Sequence, residues 1–235
     1  MNTAIIIEPR CHKALPFVLE NFLENLSDDW NIIIFHGNLN WEYVLDIINT
    51  KLDKYKDRIS LINLHVDNLT PKEYNDLFIR RKEFYNYIPT ETFLVFQTDT
   101  MIFKKNKELL RHFLQYDYVG APWPWYPLQN GHNVGNGGLS LRKKSKMLEV
   151  IEKETDLAYL EKLFFNTSTN IPEDVFFSCT TKVELNKPSF EEAKLFSVEW
   201  VFSEITFGCH QPWIHRDALR NLYPEIETLI LLNDR

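Results

Sequence analysis

Asp99 is the first residue in this chain whose type and setting suggest chemistry. The apolar run Thr92-Phe93-Leu94-Val95-Phe96 breaks at Gln97-Thr98-Asp99, and apolar residues resume at Met101-Ile102-Phe103. An acidic side chain between two apolar segments is costly unless it is solvated, hydrogen-bonded or bound to a cation. Asp99 therefore either caps a turn or, at the carboxyl end of a buried strand, holds a metal-bound phosphate. A second acidic pair, Glu173-Asp174, follows Pro172 at a predicted helix start. These carboxylates suit a general base and an acceptor-orienting group, given a hydroxyl within about 2.6–3.2 Å. They are equally ordinary first-turn acids favoured by the helix dipole. His210, beside Gly208 and Pro212, would complete a cation site with Asp99; His215 competes for that role.

The run Gly135-Asn136-Gly137-Gly138 lacks the last glycine of a dinucleotide fingerprint and is not followed by Gly-Lys-Ser/Thr, which excludes the Rossmann and P-loop motifs. Without Cβ atoms it either brings backbone N–H groups close to a ligand or forms a tight turn. Trp123, Trp125 and Trp213 either offer platforms under a sugar ring or pack Pro-rich loops against a sheet.

The elements that must position these residues follow from hydrophobic period. Thr3 to Ile7 reads as a buried strand ending at Glu8-Pro9-Arg10, and Leu15, Val18, Leu19, Phe22, Leu23 and Leu26 mark one helix face. Asn31 to His36 is a second strand, Trp41 to Ile48 a second helix, and Arg58 to Val66 a third strand. Thr70-Pro71-Lys72-Glu73 combines an N-cap, a first-turn proline and an acid, predicting a helix from there to about Tyr87. Strand, helix and strand in alternation predict a mostly parallel sheet flanked by helices, in a single α/β domain over 1–235. Beyond 103 the pattern is less regular: Tyr118 to Pro127 reads as an ordered loop, Lys143 to Lys153 as a charged helix, and Phe207 to Trp213 as loop. The apolar run Leu222 to Leu232 is expected to pack back on the domain.

With 235 residues, 44% hydrophobic and 25% charged, the chain has the make-up of a soluble globular protein. A net charge of −7 argues against a nucleic-acid partner, and it means that a phosphorylated ligand would be helped by a divalent cation. The three cysteines form no CxxC pair, so neither a disulfide framework nor a cysteine zinc site is expected. No stretch has the length of a signal-peptide core or a membrane span, so the expectation is a cytoplasmic protein without a transmembrane segment. Too few clustered His and Asp residues are present for a two-metal phosphoesterase, and no Gly-x-Ser-x-Gly elbow suggests a serine hydrolase.

Taken in order, Gln97-Thr98-Asp99, Gly135 to Gly138, Glu173-Asp174 and His210 resemble the nucleotide-sugar glycosyltransferases of the GT-A fold, which is Rossmann-like, and a small branch of that superfamily. The resemblance spans essentially the whole chain. It implies a nucleotide-binding half over 1–103 and an acceptor-binding half over 104–235. It also implies that Asp99 coordinates Mn²⁺ or Mg²⁺ on the donor diphosphate, with His210 closing the metal site. Asp174 would be the general base on the acceptor hydroxyl and Glu173 would orient the acceptor. Gly137 and Gly138 would lie against the donor sugar, while Glu8, Arg10 and Asn75 would face the base and ribose. The implied activity is transfer of a sugar from a nucleoside-diphosphate sugar, such as a UDP-sugar, to a glycan, protein or small-molecule hydroxyl. A single base with direct displacement would invert the anomeric centre. Gln97 stands where the family has the first acid of Asp-x-Asp, which removes a charge from the site. That departure favours the alternative of a non-catalytic nucleotide- or carbohydrate-binding module on the same fold.

Overall fold

The structure, a computed structural model, describes residues 1–125, 133–155, 160 and 170–234. Tyr126 and Pro127 of the Pro-rich run, and residues 166–169 of the polar stretch before Asn170, lie outside the described residues. The central sheet has six strands: β1 Asn2–Ile7, β2 Trp30–His36, β3 Ile59–Asn63, β4 Thr92–Phe96, β6 Tyr118–Gly120 and β7 Leu139–Lys143. Their order is β3-β2-β1-β4-β7-β6; the first four run parallel, and β7 pairs antiparallel with both β4 and β6. The sheet thus continues across the 103/104 boundary between the two expected halves.

Continuous apolar runs build this sheet because each strand feeds two cores. Ala4, Ile6, Ile32, Ile34, Leu94 and Phe96 face one cluster, whereas Ile5, Ile33, Phe35, Phe93 and Val95 face the other. Successive side chains of a strand alternate faces, so a strand covered on both sides must be apolar throughout. Helices α1 Leu15–Asn25 and α2 Trp41–Thr50 bury Phe22 and Val44 in the first cluster. Helix α3 Pro71–Ile79 begins with a complete capping box, Thr70 Oγ1 accepting from Glu73 N–H and Glu73 Oε2 from Thr70 N–H, and buries Leu77 and Phe78 in the second cluster.

Four elements differ from the sequence reading. Helix α3 stops at Ile79, and a 3₁₀ turn at Lys82–Tyr87 follows, because the redirected chain buries Phe84 and Tyr85 beside Phe78. Strand β3 ends at Asn63, whose Oδ1 accepts from His65 N–H where His65 has φ 57°. Within the expected loops, Tyr118–Gly120 is a strand of the main sheet, and Gly208–His210 (β9) joins β5 Thr100–Ile102 and β8 Ser197–Val198 in a second, three-stranded sheet, order β5-β9-β8. The C-terminal segment packs back as expected, with Ile226, Leu229 and Ile230 buried.

Along the rest of the chain come a short helix α4 Leu110–Phe113, α5 Lys144–Lys153 and α6 Glu173–Ser178. Cys179 and Cys209 are buried and Cys11 is exposed. Among the described residues no helix is long and apolar enough to cross a membrane.

Candidate active site

Strand order reverses between β1 and β4, with β1 leading out to β2 on one side and β4 to β7 on the other. In open α/β sheets such a switch point leaves a crevice outside the carboxyl ends of the strands. A cleft of about 300 Å³ lies there, lined by Ile7 to Arg10 after β1, Asn68 to Pro71 and Tyr74 at α3, and Gln97 to Asp99 after β4. Glu8, almost fully buried, is gripped by Arg10, whose backbone N–H donates to Oε1 at 2.9 Å and whose guanidinium reaches Oε1 at 2.8 Å and Oε2 at 2.7 Å. Asn40, fully buried, ties this strand end to the next: its Nδ2 donates to Glu8 O and Arg10 O, and its Oδ1 accepts from Gly37 N–H. Gln97 donates from Nε2 to Tyr74 Oη at 3.0 Å. Burial raises the Tyr74 hydroxyl pKa, so that group stays protonated.

Asp99 closes one end of the cleft. Pairing of β5 with β9 sets Thr100 opposite His210, and the Gln211 N–H donates to Asp99 O at 3.1 Å, so the turn after β4 and the end of β9 are locked together. Asp99 Oδ1 then stands 3.5 Å from His210 Nε2, and Glu199 Oε1 stands 3.4 Å from His210 Nδ1. Asp99 Oδ1, both His210 ring nitrogens and Glu199 Oε2 are buried without a hydrogen-bond partner among the described residues. Burial alone would lower the His210 pKa, but Asp99 and Glu199 outweigh it and raise it. One carboxylate oxygen and one imidazole nitrogen, both unsatisfied and side by side, fit a cation such as Mn²⁺ or Mg²⁺. Glu199 on the other ring nitrogen is where an outer carboxylate orients a ligating histidine. Among the described residues no group of three or more His, Cys, Asp or Glu is arranged to hold a metal ion, so Asp99 and His210 form a two-residue set. His215 is placed elsewhere, its Nε2 3.1 Å from Trp200 O.

The glycine turn joins this end to the second acidic pair. A Cβ on Gly138 would stand 2.2 Å from His210 Nε2, and one on Gly137 would stand 2.2 Å from Glu173 Oε1 and 2.9 Å from Asp174 Cβ. On the side where a Cβ would stand, both glycines face the protein's own side chains. Gly137 N–H donates to Asp174 Oδ2 at 3.0 Å and Val175 N–H to Asp174 Oδ1 at 2.8 Å. Desolvation and the adjacent Glu173 charge nevertheless push the Asp174 carboxyl up to about 7.

Two expected site residues are engaged otherwise. Both Glu173 oxygens accept from Arg142, at 2.6 Å and 2.9 Å, because a buried carboxylate at this depth requires a partner. Asn75 does not line the cleft, since its Oδ1 accepts from Glu173 N–H and its Nδ2 donates to Asn170 Oδ1, bracing the start of α6. Arg142, Asn40, Tyr74 and Glu199 were not legible as site residues in the sequence. Of the three tryptophans, Trp123 is buried in the second core, and Trp213 is partly buried against the first. Trp125 is 49% exposed and meets Trp200, 48% exposed, edge to face at 4.9 Å.

The fold that carries the switch-point cleft and the acidic turn after β4 is GT-A-like. S. aureus TarS 1–349 superposes with a TM-score of 0.55 at 11% identity, over 94% of this chain and 64% of that one. The galactosyltransferase LgtC, solved with donor and acceptor sugar analogues, matches with a TM-score of 0.50 at 10% identity, over 76% of this chain and 70% of that one. The mannosyltransferase PcManGT from Pyrobaculum calidifontis, solved with GDP-Man and Mn²⁺, gives 0.50 at 10%, over 80% and 54%. The chain thus spans less than two thirds of the TarS and PcManGT chains, and at these identities the likeness is one of fold. No curated protein matches the sequence. Residues 58–210 match the family described as "Protein of unknown function (DUF5672)", and the chain belongs to that family.

Proposed function

We propose that this protein is a glycosyltransferase that moves a sugar from a nucleoside-diphosphate sugar to an acceptor hydroxyl, with inversion. The observation that carries the reading is the glycine turn, where consecutive residues touch the two chemistries the reaction needs: Gly137 contacts Asp174 and Gly138 contacts His210. Sugar transfer builds negative charge on the departing diphosphate while the acceptor hydroxyl must lose a proton. Asp99 and His210 would hold a cation, Mn²⁺ or Mg²⁺, which would offset the negative charge of a leaving diphosphate. Asp174 accepts the hydroxyl proton; with its pKa near 7 it is a base matched to neutral pH. Glu8, Arg10 and Gln97 line the cleft; in this reading it takes the nucleotide, with residues 1–103 carrying the donor and 104–235 the acceptor. Trp125 and Trp200 offer an exposed aromatic edge for the acceptor, on the two segments that Asn136 and Glu199 also join, Asn136 Nδ2 donating to Glu199 Oε1 at 3.2 Å.

The test is donor turnover by wild type and Asp174→Asn across UDP-, GDP- and CMP-sugars. Transfer or hydrolysis by wild type that falls by about 10³-fold in the variant supports the reading. A second reading, a nucleotide- or sugar-binding module without turnover, is favoured by Gln97, whose amide is spent on Tyr74. Nucleotide binding by wild type with turnover no greater than buffer would select it.

A further inference from the structure

Arg142 lies on β7 between β4 and β6, paired in register with Phe93 and Tyr118, and is completely buried. Its guanidinium is caged by the rings of Phe78, Tyr118 and Phe177 at 5.1, 5.2 and 5.8 Å. Such a cage fixes the plane of the fork. Inside it Nη1 and Nη2 donate to the two Glu173 oxygens, Nη2 also reaches Gly137 O at 3.4 Å, and Nε donates to Ser140 Oγ at 2.9 Å. Ser140 Oγ in turn donates to Gly137 O at 2.9 Å, and Gly137 N–H donates to Asp174 Oδ2. The contacts close a ring, from Arg142 to Glu173, along the chain to Asp174, across to Gly137, and back through Ser140.

We propose that Arg142 is the positioning residue for Asp174, clamping the glycine turn against the start of α6 so that the Asp174 carboxylate is held toward the acceptor. This rests on the reading of Asp174 as the base. Stability alone does not account for the pair, since a buried ion pair replaced by neutral groups of similar volume often leaves a protein equally stable. Orientation does account for it. Asp174 spends one lone pair of each oxygen on backbone N–H groups, leaving the others for a hydroxyl. Hydrogen bonding of both oxygens fixes the direction of the free pairs. Because Arg142 does not line the cleft, its removal should act on geometry and leave donor binding alone.

The experiment uses the full chain with Arg142→Met/Glu173→Gln, which removes both charges together, and with Ser140→Ala, which opens the ring at one hydroxyl. The Gly137 amide is read by hydrogen exchange, with β1 and β2 amides as the internal reference. In the double variant Gly137 should exchange at least about 10-fold faster, the worth of one lost hydrogen bond, with the reference amides unchanged. In the same variant kcat should fall by about 100-fold, as for an angstrom-scale misplacement, with donor KM held within about twofold. Ser140→Ala should shift both in the same direction by less. Unchanged Gly137 exchange and kcat in a folded double variant would overturn the proposal. Should the double variant lose reference protection, unchanged Gly137 exchange in Ser140→Ala overturns it instead. The amide readout needs no turnover, so an inactive wild type would refute the glycosyltransferase reading while the clamp is still decided.

Discussion

The two acidic ends of the site are built in opposite ways. Around Asp174 every carboxylate oxygen is satisfied by the protein, Glu173 by the Arg142 fork and Asp174 by two backbone N–H groups. Around Asp99 the reverse holds, and Asp99 Oδ1, Glu199 Oε2 and both His210 nitrogens are buried without hydrogen-bond partners among the described residues. Buried polar groups are normally hydrogen-bonded, and an orphan costs about 1–3 kcal/mol. A complete network needs nothing from outside and suits a preorganised base. An incomplete one is costly until something binds, which is the behaviour of a ligand site.

This contrast can be broken by substitution at either end. The largest effect is expected at the complete end: Asp174→Asn should cost about 10³-fold in turnover, measured by donor consumption, while nucleotide binding measured by calorimetry is retained. The next largest lies at the incomplete end, where Glu199→Gln should weaken Mn²⁺ affinity about 10- to 100-fold by titration calorimetry, because the carboxylate orients the His210 ring.

The pH dependence separates the ends further. Asp174 in the folded chain titrates near 7, above the ordinary carboxyl range, so the folded state binds more protons than the unfolded one between about 4 and 7. Stability contributed at this position is therefore present below the unfolded pKa and lost as pH rises through about 7. Asp174→Asn should accordingly raise the melting temperature more at pH 8 than at pH 5, and kcat/KM of wild type should rise through about pH 7. A melting difference that shrinks from pH 5 to pH 8 would contradict the assignment. The smallest effect is expected outside both networks: Trp200→Ala should raise acceptor KM by about 2- to 10-fold, the worth of one aromatic contact, with donor KM unchanged.

How far the sequence revealed this arrangement depended on how local the cause was. Strands β1, β2 and β4 were legible because a strand covered on both faces has to be an unbroken apolar run, and Thr70-Pro71-Lys72-Glu73 announced its helix through residues three apart at most. Asp99 was legible for the same reason, as a polar break at the end of such a run. Where α3 stopped was not, because Arg80, Arg81 and Lys82 suit a helix and the break is imposed by burial of Phe84 and Tyr85. Strand β9 is three residues long and pairs with Thr100–Ile102, more than a hundred positions earlier, so no local period betrays it. Arg142 stood in the sequence beside Lys143 and Lys144, like the start of a solvated helix. Its burial is decided by Glu173, thirty-one residues away, and by rings from three separate elements. Glu199 carried no local signal at all; its meeting with His210 follows from β8 pairing with β9.

The most direct test of the account is a thermal melt of wild type and Asp99→Ala against UDP, GDP and CMP, each with and without Mn²⁺. A ligand that binds only the folded state raises stability by about 2.7 kcal/mol at a hundredfold excess over its dissociation constant. The account predicts that one nucleotide raises the wild-type melting temperature only when Mn²⁺ is present, and that Asp99→Ala abolishes this shift while keeping its own cooperative melt. A nucleotide shift of equal size with and without Mn²⁺, unaffected by Asp99→Ala, would contradict it.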